Sequence, residues 1–357
     1  MNLRRALLVA LVGVALTAGC GDDSGSTAAE PEACAFSPGD SAMATARDVT
    51  ALTLDGDTLW IGTEDDGLTR LDLTDLASAT RFTTSDGVAA DAIHSVAVAL
   101  DGQVWLTHAR AVCPETTTGY CGVSRFDGSS WSTITQDTIL SDRAYALAQS
   151  PSGTLWLGAH DGAMFSQGGS TWDAWFDWQD CNSPGDHCSP LFSFTVQGVA
   201  FDAQTNDTWF AIDQQQLGVS PKPGGVARRD ADGRTDTWDR DDGLPSNRAT
   251  SIAVLGGIPW AGSPAGLASL DLSSQTWSTW SDLAINDLAV QNEQLWAATD
   301  EGALLLNADG SSESWTTAEG LPSNEVRAVA ATDDVVCFGT SAGVGCYRSS
   351  TCGWIWP

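Results

Sequence analysis

The side chains that could do chemistry gather in a few stretches of the chain. His108, Arg110 and Tyr120 share the first, Trp178 and His187 the second, and Asp213 opens a third, while His160 and Asp161 stand together between the first two. Imidazoles and carboxylates can carry protons, and a guanidinium offers a fixed fork of donors. Aromatic faces can stack on sugar rings or grip a partner. No local spacing turns these residues into a catalytic device: His-Glu-x-x-His and the Gly-Lys-Ser phosphate cradle are both missing. Gly339-Thr340-Ser341-Ala342-Gly343 does match Gly-x-Ser-x-Gly. A nucleophile elbow, however, needs a strand-to-helix turn with its Asp and His following in the chain, and the last histidine is His187. The spacing of His108, His160 and His187 fits no metal motif, so neither a metal nor a cofactor is expected. Carboxylate pairs such as Asp65 and Asp66 sit in turn sequence, whereas a glycosidase needs two held a defined distance apart. The eight residues are therefore read as candidate ligand contacts.

What positions them is a repeat. Leu59-Trp60-Ile61-Gly62-Thr63 recurs around Trp105, Trp156, Trp209, Trp260 and Trp296, and once more with Cys337 in place of tryptophan. The intervals are 45, 51, 53, 51, 36 and 41 residues. A period of that size with one Trp-bearing strand per unit predicts an all-β, seven-bladed propeller with four antiparallel strands per blade, over residues 44–357. Asp-Gly turns such as Asp55-Gly56 and Asp101-Gly102 suit the tight A–B hairpins. Trp131, Trp172, Trp238, Trp277, Trp315 and Trp354 fall on the fourth strands, where packing between sheets accounts for most of them and their N–H groups need partners.

Three insertions break the repeat: Thr107–Gly122 and Ile212–Gly224 between the second and third strands of units two and four, and Asp177–Ser193 between units three and four. In a propeller these connections share one face, so the chain adds length where a ligand would be met, and the candidate contacts lie on or beside the additions.

The turns Asp242-Gly243-Leu244-Pro245-Ser246-Asn247 and Glu319-Gly320-Leu321-Pro322-Ser323-Asn324, with the worn copy Asp86-Gly87-Val88, complete a pattern. Together with Phe338-Gly339-Thr340 and Gly343 it resembles the two-component regulator propeller repeat. That resemblance implies seven blades and an extracytoplasmic sensing role. Members commonly serve membrane-bound kinases, and this chain carries neither a second transmembrane segment nor a kinase. Ligand or partner binding is thus the expectation, with a lyase or hydrolase acting on a polysaccharide or small molecule as the alternative.

The first residues indicate where such binding takes place. Arg4 and Arg5 precede an apolar run from Ala6 to Ala18, too short to span a bilayer comfortably. It ends Leu16-Thr17-Ala18-Gly19-Cys20, which resembles a bacterial lipobox, with Thr17 where that pattern usually has Leu. Residues 1–19 read as a lipoprotein signal peptide, Cys20 as the lipidated residue, and 20–43 as a small, acidic tether. The expected location is the bacterial cell envelope, with the protein monomeric and anchored to the membrane.

Eight further cysteines, an even number in an exported chain, imply disulfides. Cys113 with Cys121 and Cys181 with Cys188 bracket insertions, Cys337 and Cys346 face each other across a hairpin, and Cys34 with Cys352 would close the ring. The formal net charge of −30, with a single lysine, repels nucleic-acid phosphates and leaves a glycan or an envelope protein as the expected partner.

Overall fold

The computed structural model describes residues 46–109, 111–113, 119–135, 137–139, 141–160, 162–175, 195–213, 224–307, 310–351 and 353–355. Cys20, Cys34, Arg110, Asp161, Trp178, Cys181, His187, Cys188 and Cys352 lie outside them. Seven four-stranded antiparallel sheets follow one another, each built from four consecutive strands. Their innermost strands are Val49–Asp55, Ser95–Val98, Ala144–Gln149, Thr195–Asp202, Ser251–Leu255, Ile285–Gln291 and Val326–Ala331. Each packs beside the next and the last beside the first, so the sheets form a closed seven-bladed propeller. Among the described residues no helix is long and apolar enough to cross a membrane.

The second strand of each blade is covered on both faces by neighbouring sheets, so it reads as a continuous apolar run rather than an alternating one. Leu59, Trp60 and Ile61 are all buried, as are Leu155, Trp156 and Leu157. The outermost strand answers to water: in Asp75–Phe82 every residue but Phe82 is exposed. Close approach of the blades requires the glycine that follows this run. A Cβ on Gly62, Gly158 or Gly262 would lie 2.5–2.7 Å from Ile93, Val196 or Ile285 of the next blade, and one on Gly339 would lie 2.4 Å from Val49, back in the first.

The tryptophans of the second strands are packing groups, and several have an arginine directly opposite on the third strand. Arg70, Arg125 and Arg228 pair in register with Trp60, Trp105 and Trp209 and lie 5.7 Å above their rings. Of the fourth-strand tryptophans expected to find N–H partners, Trp354 donates to the Glu319 carbonyl, and elsewhere Trp280 and Trp296 donate to Ser269 and Gln291. The buried N–H groups of Trp131, Trp172 and Trp277, and of Trp105, Trp209 and Trp260 on second strands, meet no acceptor among the described residues. There the apolar area of the ring outweighs the polar corner.

Between blades, the Asp-Gly-Leu-Pro-Ser-Asn turn has a definite mechanism. Arg240–Asp242 forms one turn of 3-10 helix, capped reciprocally by Asp239 and Asp242, and Gly243 takes a left-handed φ of 101°. The Asn247 side chain closes the loop by accepting from the Arg240 N–H at 2.8 Å, as Asn324 does for Thr317 and Asp91 for Thr84. Leu244 and Leu321 are buried beneath these turns. Cys113–Cys121 and Cys337–Cys346 are disulfide-bonded, the second pair sitting directly opposite in the hairpin ladder as the spacing predicts.

Candidate functional site

Within two residues of the start of each inner strand stands a buried apolar residue, and the residue after it is the one that matters. The apolar residues are Val49, Ile93, Ala144, Val196, Ala249, Ile285 and Val326. Those that follow are Thr50, His94, Tyr145, Gln197, Thr250, Asn286 and Arg327. In five blades the ladder skips this residue: Val49 pairs with Thr63 and Ala51 with Gly62, which leaves Thr50 unpaired, and Tyr145, Gln197, Asn286 and Arg327 are bypassed in the same way. A bulge re-aims its extra side chain, and here all seven residues line one central funnel of about 790 Å3. Glu64, Pro264 and Asp300, from the turns between second and third strands, line it too.

Hydrogen bonds tie this ring blade to blade. The Thr50 hydroxyl donates to the Ile93 carbonyl at 2.6 Å, and Thr250 donates to Ile285 at 2.9 Å. Asn286 donates to the Val326 carbonyl at 2.8 Å and to Asp300 at 2.9 Å. Arg327 donates to Glu325 at 2.9 Å and reaches Asp48 at 3.2 Å and Glu64 at 3.8 Å. Asp287, half-buried in the funnel wall, accepts from the Val329 N–H at 3.0 Å and from Leu288 at 2.9 Å. Enclosure by protein pushes its carboxyl up to about 6, and the two N–H groups oppose that only in part. Across the funnel, His94 and Tyr145 meet edge to face at 5.3 Å, and Arg143 lies over the rings of Tyr145 and Tyr120 at 5.7 and 5.0 Å.

Of the eight contacts expected from sequence, four are described, and none lines the funnel. His108 is fully buried, with Nδ1 2.9 Å from the Ala92 carbonyl and Nε2 2.9 Å from the Ser124 hydroxyl. A carbonyl only accepts, so Nδ1 carries the proton and Ser124 donates to Nε2 while accepting from the Ala89 N–H. Burial pushes the imidazole down to about 4. Both ring nitrogens of His108 are thus engaged within the protein. Tyr120 sits beneath Arg143, next to the Cys113–Cys121 disulfide. Asp213 forms a two-point ion pair with Arg248, at 2.7 and 3.3 Å, bridging blade four to the strand that opens blade five. His160 and Asp213 occupy the turn position held by Glu64 and Asp300 in blades one and six, a rim position. Among the described residues no group of three or more His, Cys, Asp or Glu is placed to hold a metal ion.

The funnel residues have a signal in the sequence: with the seven units stacked in register, one column is uniformly apolar and the next uniformly polar.

Fold and site together define a seven-bladed β-propeller with a polar central funnel. No protein-family model matches the chain, and no curated protein does. Solved structures do. The extracellular domain of the hybrid two-component system BT3049 from B. thetaiotaomicron is similar over 88% of this chain, with a TM-score of 0.64 at 16% identity. The chain spans 39% of that structure's length. Virginiamycin B lyase from Staphylococcus aureus is similar over 84% of this chain and 93% of its own, with a TM-score of 0.59 at 13% identity. PorZ, a surface component of the type-IX secretion system of Porphyromonas gingivalis, is similar over 87% of this chain and 38% of its own, with a TM-score of 0.56 at 11% identity. At these identities the likeness is one of fold.

Proposed function

We propose that this protein is a lipid-anchored, extracytoplasmic binding propeller that takes a ligand or a protein partner at its central funnel without catalysing a reaction. The observation that carries this reading is the ring Thr50, His94, Tyr145, Gln197, Thr250, Asn286 and Arg327, one polar residue per blade converging on one cavity. Two disulfides and a lipobox-like Cys20 support an envelope location, as do the extracellular and surface proteins that share the fold. Against general acid–base chemistry, the one imidazole that the described residues bring to the funnel wall, His94, lies on the arc opposite Asp287, and the buried His108 is held neutral.

Filling the funnel is the direct test. Gln197→Trp should leave the fold intact and remove binding to whatever the wild-type protein captures from a glycan array or an envelope extract. Equal capture by both proteins would place the site elsewhere. A deletion of Thr107–Gly122 is the poorer tool, because Thr107 and His108 are fully buried and Cys121 packs against Ala90 and Ala111. For the anchor, mass spectrometry should find acyl chains on an amino-terminal Cys20, and Cys20→Ala should release the protein from membranes.

The lyase alternative has one observation in its favour, the match to virginiamycin B lyase over 93% of that enzyme's length. It predicts that purified protein consumes a polysaccharide or small-molecule substrate, and that Asp287→Asn or His94→Gln abolishes turnover without abolishing binding.

A further inference from the structure

The hydrogen bonds that join the blades also decide what the funnel offers to a ligand. Thr50 and Thr250 each have one hydroxyl hydrogen, directed at the carbonyl of the next inner strand, 2.6 and 2.9 Å away. Asn286 has two N–H groups, directed at Val326 and Asp300. What remains for the cavity on this arc is lone pairs: two hydroxyl oxygens and one amide oxygen. The carboxylates add to them. Among the described residues, Glu64, Asp287, Asp300 and Glu325 line the funnel against a single guanidinium. That guanidinium, Arg327, is already engaged by Glu325 at 2.7 Å, Asp48 at 3.2 Å and Glu64 at 3.8 Å, so its charge is answered within the wall. The side-chain donors His94, Tyr145 and Gln197 all lie on the opposite arc, from blades two to four.

We propose that the funnel is selective for a small ligand carrying an ammonium or guanidinium group, seated among the acceptors of blades one, five, six and seven. The inference rests on the funnel being the binding site and goes further, to the charge and donor pattern of the ligand. An alkylammonium has three N–H donors and no acceptor, the complement of Thr50, Thr250 and Asn286 with Glu64 and Asp300 beside them. A concave, acid-lined wall also concentrates cations from solution. A neutral polyol would match the acceptors equally well but would gain nothing from the carboxylates, and an anion would meet their repulsion. Polyamines, amino sugars and guanidino compounds share the chemistry, and separate arms of the experiment distinguish them.

Isothermal titration of the mature, folded protein with spermidine, glucosamine and agmatine tests this, with N-acetylglucosamine and galacturonate as neutral and anionic controls. At least one cation should bind tenfold more tightly than both controls, and its affinity should fall severalfold between about 50 and 500 mM salt. The double variant Glu64→Gln, Asp300→Asn should weaken that cation at least tenfold. Arg327→Gln, which removes the only guanidinium among the described residues of the wall, should tighten it, an effect a purely structural role would not produce. Asp55→Asn with Glu293→Gln, an equal charge change in the A–B turns of the opposite face, should leave it unchanged. Failure of every cation to bind, or equal binding of N-acetylglucosamine or galacturonate, overturns the inference. Funnel binding as such survives in the second case, if Gln197→Trp still removes it. Cation binding lost on changing Asp55 and Glu293 but not Glu64 and Asp300 overturns both, by placing the site on the other face.

Discussion

His108 and Asp287 pull stability in opposite directions as the solution is acidified. For His108 the folded value of about 4 lies below the ordinary 6.5, so the unfolded chain binds more protons between them and acid destabilises the fold. For Asp287 the folded value of about 6 lies above the ordinary 3.8, so the folded chain binds more protons and acid stabilises it. Each effect amounts to about 2 kcal/mol between pH 7 and 4.5, and they largely cancel. The carboxyls of Asp127 and Asp271, held down to about 2 by serine hydroxyl and backbone donors, titrate below that window. Urea denaturation of the wild type should therefore give similar stability at pH 7 and 4.5. Asp287→Asn should lose about 2 kcal/mol on the same acidification, and His108→Gln, though weaker at pH 7, should gain. A wild-type curve that falls steeply between pH 6.5 and 4.5 would show that one of these burials is wrongly assigned.

At the scale of an element, the inter-blade turn depends on two residues for different reasons. Asn247 and Asn324 each satisfy one backbone N–H at 2.8 Å, and replacing either with alanine should cost about 1 kcal/mol, read as a small drop in melting temperature. Gly320 combines a φ of 111° with a position where a Cβ would lie 2.6 Å from the Trp354 indole. Gly56 also has a left-handed φ, 58°, but open space around it. Gly56→Ala should cost about 1 kcal/mol, from backbone strain alone. Gly320→Ala should cost roughly two to three times as much, because the indole must move as well. Similar losses for the two would mean that the turn is not seated against the blade it enters.

For the whole molecule, the seam between blades seven and one is distinctive, because every described blade is made of consecutive strands and no strand is exchanged across the closure. Side chains and a backbone bond hold it. Arg327 reaches Asp48 and Glu64, Arg348 reaches Asp57 at 3.0 Å, and the Asp48 N–H donates to the Ser341 carbonyl. Ion pairs this exposed contribute well under about 1 kcal/mol each, so the apolar contact of Val49 with the Gly339 backbone must dominate. Arg348→Gln should thus be nearly silent in melting temperature, while Gly339→Ala should cost roughly 2–3 kcal/mol. Hydrogen exchange should then quicken first in Val49–Asp55 and Val326–Ala331. Exchange that quickens evenly around the ring would show that the seam is no weaker than the other six interfaces. The Cys34–Cys352 disulfide expected from the sequence is tested by non-reducing peptide mapping.

Seven blades, their turns and the facing of Cys337 with Cys346 were all legible in the residues themselves. Each of those features is local: a tryptophan flanked by apolar residues and followed by glycine, a turn dipeptide, a hairpin whose arithmetic sets the register. The funnel was not legible in that way. Thr50, His94, Tyr145, Gln197, Thr250, Asn286 and Arg327 stand some forty or fifty residues apart, and only ring closure brings them to one wall. The tertiary structure alone decided that His108 turns inward to Ala92 and Ser124, and that Asp213 is taken up by Arg248. It also decided that Thr50, Thr250 and Asn286 spend their donors on carbonyls of the neighbouring blades. A residue type states what a side chain can exchange, and its neighbours in space determine which of those bonds are already made.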